Sequence, residues 1–176
     1  RTHRTPLSKT EGRLLWDDNY LYVGFHAEDK DIYSYYTERD SATCDEDVLE
    51  VFFKPDANKD PYYNFEINAL NAVYDALNLK RGAGGPDHHR WSRWSCPGLK
   101  SAVFIKGTLN DPADVDEYWQ LEVAVPFAGL PTLERPPRAG DRWLFHLARY
   151  DYSVYLPEGV ELSSCAPLTK VDFHRY

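Results

Sequence analysis

Several short runs of strictly alternating apolar and polar side chains constrain this chain more than any other feature. In residues 62–68, for example, Phe65 and Ile67 alternate with asparagine and glutamate. A period of two is typical of a β-strand with one buried face, because a helix repeats every 3.6 residues. The runs end at turn-forming residues such as Pro55, which cannot continue a central strand. The sequence therefore predicts strands at residues 21–27, 48–53, 62–68, 71–77, 102–109, 118–125 and 143–150.

Seven short strands with almost no helical periodicity predict an all-β fold. We expect an antiparallel β-sandwich, jelly-roll or immunoglobulin-like, with long loops. A short helix is expected only within residues 30–40, and a helical turn at residues 126–130. Residues 1–176 suffice for one domain, and the lack of any methionine suggests a part of a longer protein. The predicted core between the sheets consists of Phe65, Ile67, Leu121, Val123, Val125, Phe145 and Leu147.

Composition and charge exclude some classes of partner. Hydrophobic residues make up 43% of the chain and aromatic residues 15%, which indicates a folded protein rather than a disordered one. The 20 Lys and Arg residues are outnumbered by 28 Asp and Glu residues, so the net charge is −8. An acidic chain is poorly suited to bind nucleic acid. No apolar run approaches the roughly 18–20 residues of a membrane span.

Acidic side chains cluster at Asp29 and Asp31, at residues 45–47, and at residues 111–116, and such loops offer the oxygen ligands calcium prefers. None of the three clusters matches the twelve-residue calcium loop with its central glycine, so solvated acidic turns remain the alternative. Any calcium bound there would be structural. The candidate ligands are Asp29, Asp31 and Asp40, or Asp111, Asp114 and Asp116.

Glu50, Glu66 and Asp75 lie on successive predicted strands, where their carboxylates could face one another. A pair about 5–10 Å apart would suit glycoside hydrolysis. The alternative, which we favour, is a polar or ligand-binding sheet face, because nothing else in the chain completes a hydrolase site.

A set of motifs, in order along the chain, resembles the family 9 carbohydrate-binding modules and is similar to family 9-like domains of secreted bacterial proteins. The resemblance spans residues 14–174. It implies a β-sandwich that binds glycans through aromatic platforms and polar groups, without catalysis, often with structural calcium and outside the cytoplasm. The motifs are residues 15–23 with Asp29, 47–53, 64–68 with Asn71, 96–100, 107–111, 116–127 and 143–149.

The resemblance also implies which residues contact a sugar. Glu50 matches the glutamate of the family site, whereas Cys44 and Glu66 stand where the family has tryptophan and arginine. The second tryptophan would fall near residues 173–174. The family usually has a strand before residue 14 and another after His174, and both are expected to be missing here. The expected ligand-binding residues are Glu50, Glu66, Asn68, Trp91, Trp94, Arg149 and His174, with Tyr63 and Tyr150 as further aromatic surfaces.

The chain has three cysteines, Cys44, Cys96 and Cys165. Their spacing forms no Cys-x-x-Cys motif, which excludes a zinc ribbon. Cys165 also stands where the family commonly has a tryptophan. If the chain is extracytoplasmic, as the resemblance implies, we expect a Cys44–Cys165 disulfide and a free Cys96. Three unpaired thiols are the alternative.

The expected function is a non-catalytic module that binds a plant or microbial glycan and targets a covalently attached enzyme, anchor or surface protein. Related sandwich domains bind haem as electron-transfer modules, which would require a pair among His26, His146 and His174. A glycoside hydrolase that uses Glu50 and Glu66 is the other alternative.

Overall fold

The structure is a computed structural model that describes residues 4–81, 94–168 and 172–175. Within these residues nine strands form two antiparallel sheets, and the helical segments are single 3₁₀ turns. The strands are β1 (Thr10–Trp16), β2 (Tyr20–Glu28), β3 (Val48–Lys54), β4 (Tyr62–Asn68), β5 (Val73–Asn78), β6 (Lys100–Lys106), β7 (Tyr118–Pro126), β8 (Leu144–Tyr152) and β9 (Val160–Ser164).

The two sheets pack face to face as the predicted antiparallel β-sandwich. One sheet has four strands in the order β1-β2-β7-β6, and the other has five in the order β5-β4-β3-β8-β9. Each of the seven predicted strands is present, with ends that match the prediction or differ from it by at most three residues. The fold class is therefore confirmed.

The core lies between the sheets and follows the alternation in the sequence. Val123 on β7 is 2% exposed, and its neighbour Glu122 points to solvent from the other face of the strand. All seven predicted core residues belong to this core. Phe65, Ile67, Leu121, Val123 and Val125 are buried, and Phe145 and Leu147 pack against them partly buried.

Two strands were not predicted, and both are edge strands. The apolar residues of β1 follow one another instead of alternating, and Leu15 is 68% exposed, so burial leaves no periodic signal there. The expectation that the strand before residue 14 is missing is wrong, because β1 begins at Thr10. The other unpredicted strand is β9, at the far edge of the five-stranded sheet.

Residues 30–40 contain no helix, contrary to the expectation. The backbone N–H of Tyr33 donates to Asp47 at 2.7 Å, and that of Tyr36 donates to Glu46 at 3.1 Å. Carboxylates from a neighbouring segment thus take the donors that a helix would need. The helical turn expected at residues 126–130 is present as a 3₁₀ turn, Phe127–Gly129.

A second apolar cluster covers the outer face of the five-stranded sheet. Phe173 in the 3₁₀ turn Phe173–Arg175 is 4% exposed and packs on this face. It joins Phe52, Tyr62 and Ala148 from the central strands. The outer face is therefore partly buried by the C-terminal segment, which positions the site described next.

Candidate ligand-binding site

Glu50 and Glu66 lie side by side on the outer face of the five-stranded sheet. They are directly opposite in the β3–β4 register, and directly paired residues have Cβ atoms about 4.5–5.5 Å apart. The alternation that sends Val51 and Phe65 into the core turns both glutamates outward. They are nevertheless 2% and 8% exposed, because other segments close over this face.

A cavity of about 280 Å³ opens above this carboxyl pair. Its walls come from the segment before β3, from β5 and β8, and from the C-terminal turn. The lining residues are Ser41, Ala42, Cys44, Glu50, Glu66, Tyr74, Tyr150, Asp172, Phe173 and His174.

Aromatic rings hold the C-terminal wall of the cavity in place. Phe173 meets Tyr150 edge-on with ring centroids 5.1 Å apart. His174 meets Phe52 in the same geometry at 5.1 Å, and its Nδ1 is 2.8 Å from the hydroxyl of Tyr62. The cavity thus combines aromatic surfaces with buried carboxyls, the composition of a small-ligand site.

Burial raises the pKa of both carboxyls. The pKa of Glu50 is raised well above its ordinary value by burial and then by the charge of Glu66, and a hydrogen bond from Asn64 opposes the shift. Burial raises the pKa of Glu66 to about 7, against a hydrogen bond that Thr43 donates at 3.0 Å. The pair therefore holds protons near neutral pH and can both donate and accept hydrogen bonds.

Four further polar side chains of the cavity stay neutral, those of Cys44, Tyr74, Tyr150 and His174. Burial and the charge of Glu66 raise the pKa of the Cys44 thiol to about 12, so Cys44 is not a thiolate nucleophile at neutral pH. Burial lowers the pKa of His174, and it raises the pKa of Tyr74 and of Tyr150. The cavity has the groups of a binding site rather than an activated nucleophile.

The structure brings three of the expected ligand residues together, Glu50, Glu66 and His174, and adds the aromatic Tyr150. Trp94 lies elsewhere, between the sheets, with ring centroids 5.3 Å from Tyr63 and 6.1 Å from Phe65. Trp94 and Tyr63 therefore serve the core instead of the cavity. Trp91 lies outside the described residues.

Asn68 has a structural role where the sequence suggested a ligand contact. Its side chain donates to the carbonyl of Tyr36 at 2.7 Å and to the carboxylate of Glu46, and accepts from the N–H of Ala72 at 2.7 Å. These bonds hold the chain before β3 against the end of β4.

Arg149 points in the opposite direction, into the end of the core. It is 1% exposed and forms an ion pair with Asp29 at 2.7 Å and with Asp151 at 3.2 Å. It also donates to the carbonyl of Glu28 at 2.7 Å. The structure therefore gives Arg149 a buried electrostatic role, away from the cavity.

Sequence reasoning missed Tyr74, Asp172 and Phe173 as lining residues. Tyr74 could have been found, since it is opposite Glu66 in the β4–β5 register and the hairpin was predicted. Asp172 and Phe173 follow β9 in an irregular segment without periodicity, so only the family resemblance, which puts a tryptophan near residues 173–174, pointed to this segment.

The carboxylates expected to bind calcium are mostly engaged by backbone donors. Asp116 accepts from the N–H groups of Ile32 at 2.7 Å and Thr108 at 2.5 Å. Asp31 accepts from Val154 at 2.8 Å, and Asp114 is exposed. These contacts tie neighbouring loops together.

One group in the described part of the chain does bring three carboxylates together. Oxygen atoms of Asp29, Asp47 and Asp151 lie within 4.8 Å of one another, all buried. The guanidinium of Arg149 already lies among them, and both oxygens of Asp47 accept backbone N–H groups. Asp151 alone has oxygens without a hydrogen-bond donor. The cluster is thus balanced in part by an arginine.

The three cysteines are free thiols, so the expected Cys44–Cys165 disulfide does not form in the structure. Cys44 lines the cavity, whereas Cys165 follows β9 and accepts the N–H of Leu147 at 3.2 Å. Cys96 is buried, and its N–H donates to Asp75. The segments that carry Cys44 and Cys165 therefore contact different parts of the five-stranded sheet.

The histidines offer no support for a haem site. His26 pairs with Gln120 at 3.1 Å on the outer face of the four-stranded sheet. His146 and His174 both pack against Phe52 on the other sheet. Within the described residues, the small cavity beside His174 contains no second histidine.

A larger depression of about 610 Å³ lies over the four-stranded sheet. Arg13, Gln120 and Glu122 line it, and these side chains are exposed to solvent. We place the candidate site in the smaller cavity because perturbed, buried titratable groups mark functional sites better than size does.

No helix in the described part of the chain is long and apolar enough to cross a bilayer.

Comparisons with solved structures support the fold. A candidate carbohydrate-binding protein from Bacteroides uniformis is 15% identical with a TM-score of 0.63, covering 95% of this chain and 74% of that one. A family 9 carbohydrate-binding module from Caldicellulosiruptor kristjanssonii in complex with cellotriose is 17% identical with a TM-score of 0.54, covering 86% and 63%. Its glucose complex gives a TM-score of 0.53 at 17% identity, covering 86% and 64%.

The search of curated proteins found no match. The model of the family described as "Carbohydrate family 9 binding domain-like" matches residues 2–140, which is most of the chain and includes the Glu50 and Glu66 strands. The expected resemblance is thereby confirmed, and the chain belongs to the carbohydrate family 9 binding domain-like family.

Proposed function

We propose that this chain is a non-catalytic carbohydrate-binding module whose ligand lies in the cavity above Glu50 and Glu66. The observation that carries the proposal is this buried carboxyl pair beneath aromatic walls. Aromatic rings suit the apolar faces of a sugar ring, and carboxyl groups suit its hydroxyls. Family membership and the sugar complexes of the C. kristjanssonii module support the same assignment.

The electrostatics of the pair favour binding over hydrolysis. A glycosidase needs one ionised carboxylate as nucleophile or base and one protonated acid. Here burial raises the pKa of Glu50 well above its ordinary value and that of Glu66 to about 7, so neither is a strongly ionised group in mild acid. An assay for reducing-sugar release checks this: we expect none, and release that disappears in a Glu50→Gln variant would establish a hydrolase.

Binding is tested by calorimetric titration of the chain with soluble oligosaccharides such as cellotriose and xylotriose. We expect dissociation constants in the millimolar range or tighter for at least one sugar. Tyr74→Ala should weaken that binding about tenfold or more, because it removes an aromatic wall. Phe104→Ala, on the outer face of the other sheet, is the matched control and should leave binding unchanged. A panel without any binding sugar contradicts the proposal.

We further propose an extracytoplasmic setting, in which residues 1–176 act as one module attached to a catalytic or anchoring domain that it targets to a plant or microbial glycan. Family membership supports this setting. Fractionation of the native host cells, followed by detection of the chain, tests it. Recovery from the cytoplasm alone would overturn it.

Structural calcium is a separate proposal, supported by the convergence of Asp29, Asp47 and Asp151. A metal that binds only the folded state stabilises that state by mass action. We therefore expect excess chelator to lower the melting temperature and added calcium to restore it. An unchanged melting curve in excess chelator removes calcium and leaves Arg149 as the counter-cation of the cluster.

A further inference from the structure

The cavity above Glu50 and Glu66 has an unusual charge for a sugar site. Two carboxyls form its floor, Asp172 stands at its wall, and none of its described lining residues is a lysine or arginine. Arg81 is close enough to act on the titration of His174, but it does not line the cavity. Burial keeps His174 itself in its neutral form at pH 7. The described floor therefore lacks a cation.

Among the residues that the structure describes, the hydrogen bonds made by the pair do not supply a cation either. Glu66 accepts from the hydroxyl of Thr43 at 3.0 Å, and from the Asn64 amide at 2.9 Å in the amide orientation that satisfies both its polar atoms. Both donors are neutral. Two carboxyls that share a buried site cannot both ionise without a cation between or above them.

The walls are also suited to a cation. Tyr74, Tyr150 and Phe173 surround the carboxyl pair, and the faces of aromatic rings attract positive charge. A cavity of about 280 Å³ is at the lower end of the roughly 300–1,000 Å³ of small-ligand pockets, so it suits a single ring better than a long segment of chain.

We propose that the sugar bound in this cavity carries a protonated primary amine, as a 2-amino-2-deoxyhexose does. This proposal rests on the proposed function and names its ligand class. An ammonium group offers three hydrogen-bond donors and one positive charge, which would let the pair ionise and would bridge Glu50 and Glu66. A neutral hydroxyl or an N-acetyl amide satisfies hydrogen bonds but leaves the carboxyls without a counter-charge.

The test compares three trisaccharides by calorimetry at pH 7 on the whole chain: a glucosamine trimer, its fully N-acetylated counterpart, and cellotriose. We expect the free-amine trimer to bind about tenfold more tightly than either neutral trimer, as a charge-assisted contact should. Because the net charge of −8 attracts any cation weakly, each titration is repeated at high salt. The preference for the free-amine trimer should persist at high salt, because salt screens a buried carboxyl pair only weakly.

Two charge-matched variants locate the effect. Glu66→Gln should remove most of the preference for the free-amine trimer, whereas Glu122→Gln, which neutralises an exposed glutamate on the other sheet, should leave that preference intact. Chemical-shift mapping on the wild-type chain, which needs no variant, should place methyl glucosaminide at Glu50, Glu66 and Tyr74.

The outcomes separate the two proposals. Equal or tighter binding of cellotriose overturns the amine proposal and leaves the proposed function standing. An amine preference that survives Glu66→Gln, vanishes at high salt, or maps to exposed acidic residues also overturns it. If no trisaccharide binds, the proposed function fails and the amine proposal fails with it.

Discussion

Glu50 and Glu66 show how one residue type changes character with its surroundings. Both occupy positions that the alternation assigns to the solvent side of their strands, where a glutamate is normally ionised and hydrated. The C-terminal turn and the segment before β3 exclude water from them, and the free energy of each ionised carboxyl rises. The same residue type at Glu122 stays exposed, because none of the segments that the structure describes covers it on the outer face of β7.

At the scale of one residue, Val123→Asp should unfold the domain. Val123 is 2% exposed in the core between the sheets, where a carboxylate would have neither a partner nor water. We expect a loss of about 4 kcal/mol or more in the free energy of unfolding, measured by denaturant titration.

The control for Val123 is its neighbour. Glu122→Asp changes a side chain on the solvent face of the same strand and should alter stability by no more than about 0.5 kcal/mol. If both variants are equally stable, the inward register of β7 is incorrect.

At the scale of elements, the C-terminal 3₁₀ turn acts as a wall of the site and a cover of the sheet at the same time. Phe173 is 4% exposed and contacts the rings of Tyr150 and His146. The turn Phe173–Arg175 adds no strand to the sheet, so its position depends on side-chain contacts: ring packing and the hydrogen bond between His174 and Tyr62.

Phe173→Ala should therefore reduce both stability and binding. Removal of a buried phenylalanine costs about 3–5 kcal/mol through lost burial and the cavity left behind. Denaturant titration should show that loss, and sugar affinity should fall because the wall opens. Phe104→Ala is the control, since Phe104 is 56% exposed. Unchanged sugar affinity in a folded Phe173→Ala variant would show that this wall does not contact ligand.

At the scale of the whole molecule, buried carboxyls make stability depend on pH. Burial raises the pKa of Asp29 from 3.8 to about 6 and that of Glu66 from 4.5 to about 7. Between these values the folded state binds more protons than the unfolded state, so the free energy of unfolding falls as pH rises. The stabilisation is complete below about pH 4 and is lost by about pH 7.

These two carboxyls by themselves should make the free energy of unfolding about 2–4 kcal/mol larger at pH 5 than at pH 8, and His146, whose pKa burial lowers to about 4, opposes part of that difference. Glu66→Gln should remove about half of this difference, because an amide does not titrate. Denaturant titrations at the two pH values measure it. A Glu66→Gln variant that keeps the whole wild-type difference would contradict the burial of this carboxyl.

The sequence by itself determined the strands, their faces and the sandwich. Burial of one sheet face imposes a period of two, which is visible in the alternation around Phe65 and around Val123. It also determined that Glu50 and Glu66 share the opposite face, since register follows from the same alternation. These are local properties of short segments, so they can be predicted without knowing which distant segments come into contact.

Only the tertiary structure decided which of the expected residues form the site. The sequence indicated Trp94 and Arg149 as ligand residues. In the structure Trp94 packs between the sheets, and Arg149 forms a buried ion pair with Asp29. Phe173 and Asp172 line the cavity, although they belong to a segment without periodicity in the sequence. The physical reason is that burial of a polar group, and hence its pKa, depends on segments distant in sequence that meet only when the chain folds.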